Sequence, residues 1–119
     1  MRGLAQVIVV LVTLTWMGGL MAAERVPDKP IQLEVSTKYE GANSIAVLKW
    51  RDMSDNELGF EVLRSDNSGE FRVVGMVGAN TTGYQDKVGK YVTGGFSYKV
   101  RAFNQAGRSE DSNVASVWF

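Results

Sequence analysis

The stretch FSYKVRAFNQAGRSEDSN, Phe96 to Asn113, decides the fold. Phe96, Tyr98, Val100 and Ala102 fall on one face, and Ser97, Lys99, Arg101 and Phe103 on the other. Successive side chains of a strand point to opposite faces, so this alternation predicts a half-buried strand. Asn-Gln-Ala-Gly then supplies a turn. The small polar residues after it are either a functional site or the path into a last strand.

Working outward, the same period recurs. IQLEVST places Ile31, Leu33 and Val35 on one face, and a Gly-Ala-Asn turn at 41–43 leads into SIAVLKW. GFEVLRS points Phe60 and Val62 inward, and Asp66-Asn67-Ser68-Gly69 closes a hairpin onto EFRVVGMVG. Gly75 in that return strand predicts a bulge or a close backbone approach. TTGYQD is read as a short strand carrying Tyr84, and SNVASVWF as the last strand. No window after the first 23 residues holds helical periodicity for more than two turns. Seven short strands in residues 24–119 predict a two-sheet antiparallel sandwich.

Composition narrows the chemistry. The 119 residues suit one domain, and 13 basic against 13 acidic side chains leave no basic footprint for nucleic acid. There is no cysteine and no histidine, which removes thiolate chemistry, the commonest general base and the commonest metal ligand. The first 23 residues carry one arginine, an apolar run from Leu4 to Leu20, and then Met-Ala-Ala. They read as a signal peptide cleaved after Ala22 or Ala23, implying a secreted or periplasmic domain at 24–119. The alternative is an uncleaved membrane anchor, since the run approaches the roughly 20 residues that span a bilayer.

The pieces together resemble the fibronectin type III family, particularly its bacterial members. LKWRDMSDNELGFEVLRS is similar to that family's second and third strands, with Trp50 where the family buries a tryptophan. YKVRAFNQAG is similar to its strand F, and SNVASV to its closing strand G. The resemblance covers residues 28–119 and implies an all-β, seven-stranded antiparallel immunoglobulin-like β-sandwich. One position departs from it. The family's tyrosine at the start of strand F is Phe96 here, which has no hydroxyl, so packing of Val88, Tyr91 or Val92 is expected to close that corner. The Arg-Gly-Asp adhesion signal that some members carry after strand F is absent from NQAGRSEDS.

Candidate chemistry is sparse. Asp52, Asp55 and Glu57 could in principle serve acid–base or calcium chemistry, but a calcium loop needs ligands at alternate positions and a central glycine. A solvated turn is the expectation. No histidine can serve a serine nucleophile, a lysine base is possible in principle but no serine–lysine constellation stands out, and the glycines form no phosphate-binding loop. Asn80-Thr81-Thr82 fits the N-glycosylation pattern, which matters only in a eukaryotic host and is read as chance. The terminal VWF resembles the last strand of outer-membrane barrels, but one sandwich does not make a barrel. Ile45, Val47, Leu63 and Phe103 are expected on outward faces. Strands C and F are neighbours in the family's fold, so Glu61, Leu63, Lys99, Arg101 and Phe103 share one surface, with Glu61 and Arg101 placed to pair.

The reading is an exported, non-enzymatic binding module without cofactor. Its candidate binding face is Leu63, Lys99, Arg101 and Phe103, for a protein or alternatively a polysaccharide partner. The other readings are a structural spacer or assembly subunit, and an accessory domain for a polysaccharide-degrading enzyme.

Overall fold

Strand boundaries fall at residues that accept left-handed backbone in residues 24–119, which the computed structural model describes. Gly41 (φ 61°) turns β1 (Ile31–Glu40) into β2 (Asn43–Arg51). Asn67 (φ 50°) and Ser68 (φ 65°) turn β3 (Gly59–Asp66) into β4 (Arg72–Gly78), and the Gly69 N–H donates to the Asp66 carbonyl at 2.9 Å. Two successive positive φ values make a type I′ turn, whose twist matches that of paired strands. There follow β5 (Gly83–Lys90), β6 (Gly95–Asn104), β7 (Gly107–Arg108) and β8 (Ala115–Trp118). The expected signal segment, 1–23, lies outside the described residues, and with it the alternative of an anchor.

The strands form two antiparallel sheets: β1-β2-β5, and β4-β3-β6 with β7 and β8 both on the far edge of β6. The immunoglobulin-like sandwich is therefore as expected, with two local differences. The polar tail adds the two-residue β7, and β5 runs eight residues because it pairs with β2 from Lys49 to Asn43.

Leu33, Ala46, Leu48 and Trp50 of the smaller sheet meet Phe60, Val62, Phe96, Tyr98, Val100, Ala102 and Val117 of the larger. The Trp50 ring lies 5.6 Å from that of Phe60. Its Nε1 is the single buried side-chain donor without a partner among the described residues, so the Trp50 ring is held by packing. Gly75 behaves as expected on both counts. Register slips there, with Val62 facing Gly75 and Leu63 facing Val73. The Tyr84 ring from the other sheet also fills the space that a Cβ on Gly75 would need.

The polar tail is edge covering. The Ser109 N–H donates to the Ala102 carbonyl at 2.8 Å, and the Ala102 N–H donates to Ser109 Oγ at 2.9 Å. Ser112 repeats both contacts with Val100 at the same distances. The two hydroxyls thus satisfy buried amides of β6 that no regular strand reaches, as buried backbone requires. Asn113 then bridges the sheets, its Oδ1 accepting from the Leu33 N–H (2.9 Å) and its Nδ2 donating to the Leu33 carbonyl (3.1 Å).

The corner near Phe96 differs from expectation. Val88 and Val92 pack against the core, but Tyr91 is 86% exposed, because its left-handed backbone (φ 53°) turns the ring outward. A polar link stands beside that packing. The Tyr98 hydroxyl and Arg64 Nη1 both donate to Asp86 Oδ2, at 2.7 and 2.8 Å, joining β6 and β3 to β5 of the opposite sheet. Arg64 Nε also donates to Asp66 Oδ1 at 2.6 Å, and the guanidinium lies 5.7 Å from the Phe96 ring centre. Ile45 is a further correction. It is buried on the outward face, between its register partners Lys38 and Lys87.

Replacing Trp50 by alanine removes the largest aromatic at the centre of this packing and should cost about 3–5 kcal/mol in urea unfolding. A loss below about 1 kcal/mol would contradict the packing described.

Candidate functional site

Pairing of β3 with β6 sets the candidate face. Glu61 lies opposite Arg101, Leu63 opposite Lys99, and Gly59 opposite Phe103. The period of two then brings these residues to one outer surface of the larger sheet.

Glu61 organises that surface. Its Oε1 accepts from Arg101 Nε at 2.8 Å, as the sequence expects, and from Arg108 Nε at 2.7 Å, which it does not. Arg108 reaches it because β7 folds back to pair with Phe103. The Arg108 hydrogen bond is the strongest influence on the Glu61 carboxyl; burial opposes it and Arg101 assists it. The net effect holds the carboxyl below its ordinary value. Lys99 Nζ sits 2.8 Å from Asp111 and 4.4 Å from the centre of the Phe71 ring, a cation–π contact. The cations of the face are therefore ordered by internal partners.

The apolar part of the face is smaller on β3 than expected and larger on β4. Leu63 is buried at 5% exposure, a correction explained by its neighbours in register, Lys99 on one side and Val73 on the other. Phe103 is half-buried, its ring lying over Gly59 where a Cβ would sit. Val73 and Met76 of β4 are exposed and extend the same face, since they pair with Leu63 and Glu61.

The acidic turn is a closed hydrogen-bonded loop. Asp52 Oδ1 accepts from the Ser54 N–H at 3.0 Å, the Ser54 hydroxyl lies 2.9 Å from Glu57 Oε1, and the Asn80 N–H donates to Glu57 Oε2 at 2.9 Å. Burial pushes Asp52 up. Burial also pushes Glu57 up, but the Asn80 amide and its other hydrogen bonds outweigh this, and the net direction is down. Asp55 is exposed and makes none of these contacts. Among the described residues no group of three such side chains is placed to hold a metal ion. A cleft of about 620 Å³ opens beside this turn, between Val26, Ile31 and Met53, with Arg25, Lys29 and Glu110 at its margin.

No family model and no curated protein matches the chain. Solved structures do. An Fn3-like protein from Clostridium thermocellum is 22% identical with a TM-score of 0.59, over 76% of this chain and 90% of that one. Domains of titin are 22% identical with a TM-score of 0.63, over 78% and 32% of the two chains. A β-1,2-glucanase from Parabacteroides distasonis is 21% identical with a TM-score of 0.65, over 79% of this chain and 13% of the enzyme. A pectate lyase from Pectobacterium carotovorum is 17% identical with a TM-score of 0.59, over 76% and 26%. Similarity at these levels shows the fold, a fibronectin type III-like sandwich.

A carboxyl held down by two arginines makes stability pH-dependent. The contribution of Glu61 is complete above its ordinary value of 4.5 and is lost as pH falls through the lower folded value. The urea midpoint of the native protein should therefore fall more steeply below pH 4.5 than that of Glu61→Gln. Equal slopes would show that Glu61 is not held by the arginines.

Proposed function

We propose that the chain is an exported, non-enzymatic binding module that engages a protein partner through the outer face of β4-β3-β6. One observation carries this reading. Arg101 and Lys99 are already fixed by Glu61 and Asp111 beside the half-buried Phe103, so docking would order few side chains. Preorganised arginine and aromatic groups are the residues on which interfaces concentrate binding energy. Export rests on the amino-terminal sequence pattern, and the absence of a cofactor on the residue types present.

A second reading has its own support. The fold's solved neighbours include segments of a glucanase and of pectate lyases, which favours an accessory role beside a polysaccharide-degrading enzyme.

Arg101→Ala combined with Phe103→Ser tests the first reading. In a pull-down from the envelope fraction of the producing cell, the partner protein captured by the variant should fall to about a tenth or less of the native level, the loss of one strong interface residue. Capture at the native level, with the melting temperature unchanged, would remove this face from consideration.

A further inference from the structure

The geometry points to a second site on the same sheet face, at its opposite end: a groove beside Trp118 that takes a neutral hexopyranose chain. Trp118 is 75% exposed although it lies on a paired strand. Its cross-strand partner is Gly95, and the indole lies over that glycine, occupying space that any other residue would fill. The ring thus rests against backbone while remaining open to solvent. A large, supported and exposed aromatic is an apolar platform, and the C–H faces of a pyranose are the matching surface.

The surroundings select the ligand. The groove holds about 300 Å³, near the lower limit of small-molecule sites, and no charged side chain among the described residues lines it. Its polar groups are Asn67, Ser68, Ser97 and Ser116, all neutral. A charged ligand would find no counter-charge here, whereas sugar hydroxyls both donate and accept and so match hydroxyls and amides. Two of these groups are preset. The Ser97 and Ser116 hydroxyls are 2.7 Å apart, which leaves one proton and several lone pairs unused between them. Asn67 is fixed by its N–H donating to the Gly95 carbonyl at 2.8 Å and by its Oδ1 accepting from the Gly95 N–H at 3.1 Å. Its Nδ2 has no hydrogen-bond partner among the described residues and remains available as a donor. Gly94, at φ 116°, leaves room for that amide where a Cβ would collide with it.

This site is separate from the Arg101 and Phe103 end, and the two stand or fall independently. The test is NMR titration of the labelled protein with cellohexaose and with laminarihexaose, using hexagalacturonate as the charged control. Saturable shifts of the Trp118 indole N–H and the Asn67 side-chain amide are expected with at least one neutral hexasaccharide and not with the acidic one. Trp118→Ala, at an exposed position and with its melting temperature checked, should weaken binding about tenfold or more, and Trp118→Tyr should restore part of it. The Arg101→Ala, Phe103→Ser variant should keep the shifts. Absence of shifts with both neutral probes, shifts with the acidic probe alone, or unchanged affinity in Trp118→Ala would each overturn the proposal.

Discussion

The contact between Arg64, Asp86 and Tyr98 is the constraint around which the two sheets are arranged. Phe60, Val62 and Arg64 lie on one inward-facing row of β3, so a guanidinium enters the space between the sheets as surely as the two apolar side chains do. An isolated charge there would be costly; paired and hydrogen-bonded it is tolerated. Asp86 supplies the pairing from the opposite sheet, and both Arg64 and the Tyr98 hydroxyl converge on one of its oxygens. Burial pushes the Tyr98 hydroxyl far up, with Asp86 adding to the effect, so it remains a donor. Burial pushes the Arg64 guanidinium down, but its hydrogen bonds to Asp66 and Asp86 outweigh this and it stays charged. Chains of this fold that carry a tyrosine at the Phe96 position can tie the corner to backbone. Here the tie runs between sheets and two residues later.

The same demand for satisfied polar groups shapes the other end of the molecule. Ser109 and Ser112 stand in for a missing strand along β6, and Asn113 stitches that edge to β1. Asn104 completes the set, its Nδ2 donating to the Arg25 carbonyl at 2.8 Å and its Oδ1 accepting from the Ala106 N–H at 2.8 Å. With its β6 edge covered and its β3–β4 turn hydrogen-bonded, the larger sheet presents an ordered outer face. The Arg101 end lies on that face, and the Trp118 end adds Asn67 and Ser68 of the β3–β4 turn to it.

Where strands lie was legible in the sequence because period two survives in β6, and Trp50, Phe60 and Tyr98 fall on the expected side. What each outward residue does was not legible. Leu63 and Ile45 look exposed by alternation, yet each is buried between register partners on two neighbouring strands, one of them distant in sequence. Tyr91 resembles a core residue by type, but a left-handed backbone at that position sends it to solvent. Arg64 and Asp86 are 22 residues apart, and no local pattern couples them. Trp118 could have been found: pairing the last strand with β6 puts it opposite Gly95, and a glycine facing a tryptophan signals a ring laid over backbone. The serines of the tail carried no such signal, because hydroxyls that replace strand carbonyls look the same in sequence as a solvated loop.

The most direct measurement is a double-mutant cycle in urea unfolding, using Asp86→Ala, Arg64→Met and the pair together. Removing one partner of a buried ion pair leaves the other uncompensated, so Asp86→Ala should cost about 3–5 kcal/mol. The double variant should cost clearly less than the two single losses added, with a coupling above about 1 kcal/mol. Single losses under about 1 kcal/mol that simply add would show that the sheets are held by apolar packing alone, and that the link between Arg64, Asp86 and Tyr98 is incidental.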